Sequence, residues 1–224
     1  MHQILKVLII EDHPVNLEVY QFVLQDISLN NELLDFDIDT AENCDIAFNK
    51  IKKATKKTFD IIILDISLPH TNNSEILSGE DLGIKINELM PSSKILIITA
   101  LNDNYRMYNI LKNIQPMGFL IKSDINTKDI KRAVHALMNN HLFYSNSVLE
   151  LQKNNICADF LLDKIDRQLL FELSIGTRMK DLPSIIPLSM AGIEKRRRRL
   201  KEIFEVVKLE DRDLVLKAKL KGFI

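Results

Sequence analysis

Five residues with chemistry to offer stand at the carboxyl ends of short apolar runs: Glu11 and Asp12 after KVLII, Asp65 after IIIL, Thr99 after ILII, and Lys122 after MGFLI. Three carboxylates drawn together raise one another's pKa. A site built from them therefore calls for a cation. A hard divalent ion such as Mg2+, which binds through one or two carboxylates with water and phosphate oxygens, answers that need. Beside it Asp65 would be an ionised nucleophile towards a phosphoryl group. Lys122 would pair with the transferred oxygens, and the Thr99 hydroxyl would donate a hydrogen bond to one of them. A second cluster is Lys195-Arg196-Arg197-Arg198-Arg199. Five consecutive cations cover every side of a helix, so several face outward and can neutralise phosphates, and Arg also suits guanine in the major groove. Each feature has a plainer reading. A single acid is a solvated strand end, Asp12-His13-Pro14 is a turn into a helix, and a basic run is a solvated face or a docking surface for acid. The joint occurrence at successive strand ends sets the first group apart.

The runs that carry these residues, Val7–Ile10, Ile61–Leu64, Ile95–Ile98 and Met117–Ile121, are too short for helices and rich in β-branched residues. They suit buried parallel strands, and Phe36–Ala41 is a weaker, alternating candidate. Helical spacing lies between them, in Val15, Val19, Phe22 and Val23; Ile46, Ala47 and Ile51; Leu82, Ile86 and Leu89; Tyr108, Leu111 and Lys112; and Ile130, Val134, Ala136 and Leu137. Five strands alternating with five helices predict an α/β fold with a doubly wound five-stranded parallel sheet, whose chemistry collects beyond the carboxyl ends of the strands.

From about Phe160 the pattern is helical. Leu161, Ile165, Leu169, Leu170 and Leu173 share a face that Gly176 would stop, and two short helices follow, Lys180–Ile186, broken by Pro187, and Met190–Val206, with Ser189 as N-cap. The connection Ile186-Pro187-Leu188-Ser189 resembles the turn of a helix-turn-helix. Charge changes sign with the pattern: residues 1–155 hold 15 basic and 20 acidic side chains, residues 156–224 hold 15 and 11. The expected organisation is a first domain over 1–142, a linker over 143–158 and a smaller all-α helix-turn-helix domain over 159–224.

Over 224 residues, 46% hydrophobic and 27% charged residues fit a folded, water-soluble chain and exclude disordered and collagenous classes. Six glycines argue against glycine-rich phosphate loops, and no stretch approaches the length of a membrane span. Cys44 and Cys157, without neighbouring Cys or His ligands, support neither a disulfide framework nor a zinc site. No membrane association and a reducing cytoplasm are expected.

The segments KVLIIEDHPVN, FDIIILDISLP, KILIITAL and MGFLIKSD, in that order, resemble the receiver domain of bacterial two-component response regulators over about residues 4–140. The resemblance implies a flavodoxin-like fold and phosphorylation of Asp65 by a sensor histidine kinase. It also implies Mg2+ held by Glu11, Asp12, Asp65 and the backbone carbonyl of Ser67, and a switch formed by Thr99 and Phe119. Three features depart from that family: a polar insertion over His70–Glu80 beside Asp65, Gln115-Pro116 where a Gly-Ala pair is common, and phenylalanine for tyrosine at 119.

The segment IDRQLLFELSIGTRMKDLPSIIPLSMAGIEKRRRRLKEIF resembles the DNA-binding domain of LuxR/NarL-type regulators over about residues 160–224, departing from it at Pro183 and Gly192. That resemblance implies contact with double-stranded DNA through Ser189, Lys195, Arg196, Arg197, Arg198 and Arg199. It sets Ser189 at the start of the recognition helix, Ile193 at its buried aliphatic and Arg196 at a phosphate- or base-facing position. The closing DRDLVLKAKLKGFI fits the last helix of that family, which often mediates dimerisation, so a homodimer on phosphorylation is implied. The expected function is a phosphorylation-controlled transcription factor and not an enzyme. The alternative is a receiver whose basic domain binds a protein partner. An enzyme rival, a haloacid-dehalogenase-like phosphatase, rests on Asp37-Ile38-Asp39-Thr40, but the run Leu33-Leu34-Asp35-Phe36 before it is short and interrupted.

Overall fold

The computed structural model describes residues 2–54, 59–69, 76–101, 103–154, 162–220 and 223. The chain divides into two compact units, residues 1–102 with 110–156, and residues 103–109 with 157–224. Cys157, Leu161 and residues 70–75 of the expected insertion lie outside the described residues.

The first unit is built on a parallel sheet. Its strands are β1 (Gln3–Ile10), β2 (Leu34–Ala41), β3 (Ile61–Leu64), β4 (Lys94–Thr99), β5 (Gly118–Ile121) and β6 (Phe143–Tyr144). They lie in the order β2-β1-β3-β4-β5-β6, every pair parallel. The helices between them are α1 (Pro14–Leu29), α2 (Cys44–Lys53), α3 (Gly79–Leu89), α4 (Asn104–Asn113), whose residues up to 109 count with the second unit, and α5 (Thr127–Met138). Burial on both sheet faces explains the uninterrupted apolar runs: Val7, Leu8, Ile9 and Ile10 are all fully buried. Val7, Ile9, Ile61, Ile63, Leu96, Ile98 and Leu120 pack on one side against Val23, Leu24, Ile27, Val134 and Leu137 of α1 and α5.

Three sequence expectations change. The sheet has six strands rather than five, because residues 143–154 form β6 and helix α6 (Asn146–Asn154) where a linker was expected. Backbone groups fix this segment: Ser145 N donates to Phe119 O at 3.0 Å and Ser145 Oγ accepts from Ile121 N at 3.1 Å. A two-residue strand carries no periodic signal. The buried stripe of α1 is Tyr20, Val23, Leu24 and Ile27, leaving Val15 and Phe22 72% and 64% exposed. In α4 the buried apolar residues are Met107 and Ile110, not Tyr108 and Leu111. Gln115 adopts φ +50°, a left-handed conformation that glycine takes most readily. The loop keeps the shape a glycine would serve.

The second unit contains α7 (Lys164–Ser174), a short 3-10 helix over Met179–Ser184, α8 (Met190–Ile203) and α9 (Asp211–Leu220). Asp163 and Asp166 form a reciprocal capping box that starts α7, and Gly176 follows it at φ +84°. The helix expected over Lys180–Ile186 is this six-residue 3-10 turn. Pro183 inside it lacks the amide that an α-helical ladder needs. Ser189 caps α8, its Oγ accepting from Gly192 N at 3.3 Å. Leu169, Leu170, Leu182, Ile193, Leu200, Phe204 and Leu214 make the core. Among the described residues no helix is long and apolar enough to cross a membrane.

Candidate functional site

Strand register assembles the acidic group. Ile10 of β1 pairs with Leu64 of β3, and Asp65 N donates to Ile10 O at 2.9 Å, so Glu11 and Asp65 emerge side by side. Thr99 pairs with Ile121, which delivers Lys122 beside it. Lys122 Nζ then donates to Asp65 Oδ2 at 2.7 Å and to Glu11 Oε2 at 2.9 Å. Glu11 and Asp65 are almost wholly buried, at 2% and 3% exposure. Burial opposes the charge on Lys122, but hydrogen bonds to Asp65 and Glu11, with their negative charge, outweigh it and hold its pKa above the ordinary value.

The Ser67 backbone N–H donates to Asp65 Oδ1 at 2.8 Å, and its hydroxyl lies 2.9 Å from Thr99 Oγ1. Ser67 thus links the acid of β3 to the hydroxyl of β4 through groups other than the carbonyl. Asp12 is partly exposed, its Oδ1 2.9 Å from His13 Nδ1. Phe119 is fully buried in β5, paired with Ile97 and Tyr144.

The sequence reading passed over three side chains around Glu11. Asn16 Nδ2 donates to Glu11 Oε1 at 3.0 Å, and His13 places its backbone N–H 3.2 Å and its ring Nδ1 3.4 Å from the same oxygen. The Tyr20 hydroxyl also bonds to Glu11; burial first, then the negative charges of Glu11 and Asp65, push its pKa far up. Asn16 and Tyr20 stand one helical turn apart, a spacing legible in the sequence. By contrast Asp37 and Asp39, the core of the phosphatase rival, lie within edge strand β2. Asp37 is 64% exposed in its side chain and Asp39 pairs with Lys50.

In the second unit the basic run divides. Lys195, Arg198 and Arg199 are exposed. Arg196 turns inward, its Nη1 2.6 Å from Asp163 Oδ2 and 2.8 Å from Asp166 Oδ1, both in the α7 capping box. Asp211 Oδ1 lies 3.1 Å from Arg197 Nε and 2.9 Å from Lys201 Nζ. Ile193 is fully buried, as expected. A helix followed through a tight turn by a capped basic helix can place cations along a phosphate backbone.

Residues 7–135 match the family model of the response regulator receiver domain. No curated protein matches the chain. Among solved structures the chain is similar to RcsB from Salmonella enterica serovar Typhimurium bound to promoter rprA with the phosphomimetic BeF3− (20% identity, TM-score 0.66, covering 97% of this chain and 99% of that one). It is also similar to the same protein bound to promoter P1flhDC (21% identity, TM-score 0.61, 95% and 96% covered). A third neighbour is a structure of two RcsB dimers on two parallel DNAs (19% identity, TM-score 0.58, 98% and 100% covered). At such identities the likeness is one of fold, here of a receiver-like sheet followed by a helical region.

Proposed function

Because the chain belongs to the response regulator receiver domain family, we propose that it is a two-component response regulator and transcription factor. In this reading Asp65 accepts a phosphoryl group from a histidine kinase and thereby controls DNA binding by the helical unit. The observation that carries it is Lys122 Nζ held by Asp65 and Glu11 at 2.7 and 2.9 Å, at the carboxyl end of the sheet.

Asp65 is the nucleophile. An oxygen of its carboxylate attacks phosphorus, a P–O bond forms, the P–N bond to the donor histidine breaks, and the electron pair leaves on the imidazole. Lys122 then transfers its pairing to the new phosphoryl oxygens, and the Thr99 hydroxyl, now near Ser67 Oγ, donates to another. The residues suit Mg2+, since Glu11, Asp12 and Asp65 at neighbouring strand ends offer hard carboxylate oxygens, to which the Ser67 carbonyl would add a fourth. Bound there, Mg2+ supplies positive charge against the incoming phosphoryl group. Recruitment of Thr99 beside the buried Phe119 would repack the β4–β5 edge and shift the unit between two arrangements.

The outward cations Lys195, Arg198 and Arg199, with the Ser189-capped start of α8, would contact double-stranded DNA. The RcsB neighbours are DNA complexes, and one holds dimers, which supports a homodimer reading two half-sites. The reading makes the chain a cytoplasmic regulator rather than an enzyme, with a receiver that extends past the expected boundary at residue 142 through β6 and α6, and a DNA-binding domain over 159–224. Treatment with a small phosphodonor and Mg2+ tests it. Intact mass should gain one phosphoryl group in the wild type and none in Asp65→Ala, and an adduct persisting in the variant would sink the assignment. A DNA affinity independent of salt would instead favour a protein partner for the basic helix.

A further inference from the structure

The backbone that carries Lys122 is tied on both sides to the segment that follows α5. Lys122–Asp124 form a 3-10 turn at the end of β5. Ser145 directly precedes α6 and is 5% exposed. Its backbone N–H donates to Phe119 O and its carbonyl accepts from Leu149 N, both at 3.0 Å. A serine at such a helix start commonly turns its hydroxyl to the second or third amide of the helix. Here Ser145 Oγ accepts from Ile121 N, the residue before Lys122, at 3.1 Å. The second amide of α6, Ser147 N, donates to Asp124 Oδ2 at 3.0 Å, two residues after Lys122. Caps are thus exchanged between the end of β5 and the start of α6. Val148 and Leu151, both buried, seat α6 in place.

We propose that Ser145 and Asp124 are positioning residues for Lys122. By tying the residues one before and two after it to the start of α6, they hold the turn from which Nζ reaches Asp65 at 2.7 Å and meets the incoming phosphoryl group. A lysine side chain is long and flexible, so the place of its ammonium depends on how firmly its own backbone is held. The inference rests on Asp65 being the phosphoacceptor, as argued above. It gives the β6–α6 segment, expected from sequence to be a linker, a part in that chemistry.

The test is the rate of phosphoryl uptake by the full chain from acetyl phosphate with Mg2+, followed by intact mass, with Mg2+ affinity measured in parallel by calorimetry. Ser145→Ala and Asp124→Ala should each slow uptake about tenfold, less than the hundredfold that a misplacement of about 1 Å can cost. Ser145→Thr keeps the hydroxyl and Asp124→Asn keeps an acceptor for Ser147 N, so both should restore most of the rate. Mg2+ affinity should stay at the wild-type value, because the carboxylates are untouched. Tyr144→Phe is the control: its hydroxyl donates to Pro116 O at 3.0 Å, at the far end of β5, so the variant loosens β6 away from Lys122 and should take up phosphate at the wild-type rate. Where Ser145→Ala does not fold, the partly exposed Asp124 carries the comparison. Wild-type uptake in the alanine variants would overturn the inference. So would equal slowing in Tyr144→Phe, or a parallel fall in Mg2+ affinity, since either would mean that the sheet edge or the whole pocket loosens. No uptake in wild type would overturn the phosphoacceptor reading and this inference with it, whereas normal wild-type uptake with unslowed variants removes the inference alone.

Discussion

Lys122 Nζ sits 2.7 Å from Asp65 Oδ2, joining the end of β5 to the end of β3 in a pocket where Asp65 is 3% exposed. The pair is mostly shielded from water, so its removal has consequences for stability as well as chemistry.

Lys122→Met leaves two buried carboxylates, Glu11 and Asp65, without their shared cation. Breaking one side of a buried pair costs about 3–5 kcal/mol. Because the Lys122 side chain is itself 20% exposed, the lower end is expected in urea unfolding. Millimolar Mg2+ should restore part of the loss in the variant while affecting wild type less. Unchanged stability would mean that the bridge contributes nothing.

Gly79 opens α3 against the backbone that follows Asp65. A Cβ there would stand 2.7 Å from Ile66 O and 2.8 Å from Ile66 Cα, closer than any relaxed contact, and neither atom can swing aside. Gly79→Ala should therefore cost about 1–3 kcal/mol. It should also slow phosphoryl uptake, since Ile66 lies between Asp65 and the Ser67 amide that Asp65 accepts from. An alanine variant with wild-type stability and uptake rate would contradict the close approach.

These two sites mark where the sequence is and is not legible. Runs such as Ile61–Leu64 are fully buried, so apolarity alone locates the strands, and the parallel order then brings Glu11, Asp65 and Lys122 together. In α1, Val15 and Phe22 share the spacing of Val19 and Val23, and spacing does not say which side meets the sheet. Tyr20 and Asn16 escaped notice because their partner, Glu11, belongs to another element. The inward turn of Arg196 depends on Asp163 and Asp166, 33 and 30 positions away. Local pattern does not encode such pairings.

Acid should expose the Asp163 contribution. Burial works against its charge, but the Asp166 amide, the Arg196 guanidinium and the Ile165 amide outweigh this and hold its pKa below the ordinary value. A depressed carboxyl stabilises the fold above its unfolded pKa of about 3.9, and that stability is lost as pH falls through the folded value. Asp166 runs the other way: burial leads in raising its pKa, so its contribution is present at low pH and is lost as pH rises through the raised value. Asp163→Asn removes the first effect and keeps the second. Amide protection in α7, taken relative to the intrinsic exchange rate at each pH, should fall below about pH 4 in wild type and do so less steeply in the variant. Equal acid slopes would refute the assignment.

The inward and outward cations of α8 should separate in DNA binding. Arg196 is 26% exposed and holds Asp163 and Asp166, so it is not placed to release a counterion from DNA, whereas Lys195 and Arg198 are exposed. Each phosphate contact adds about one to the slope of log affinity against log salt. On mixed-sequence duplex DNA, Lys195→Ala and Arg198→Ala should each reduce that slope by about one at unchanged melting temperature. Arg196→Gln should keep the slope and lower the melting temperature, because it leaves two aspartates at the start of α7 without their cation. Loss of slope in Arg196→Gln with an unmoved melting temperature would mean that this arginine leaves its aspartates for the nucleic acid. Arg198 has no such competing partner among the described residues, so its variant isolates the electrostatic contribution of the helix face.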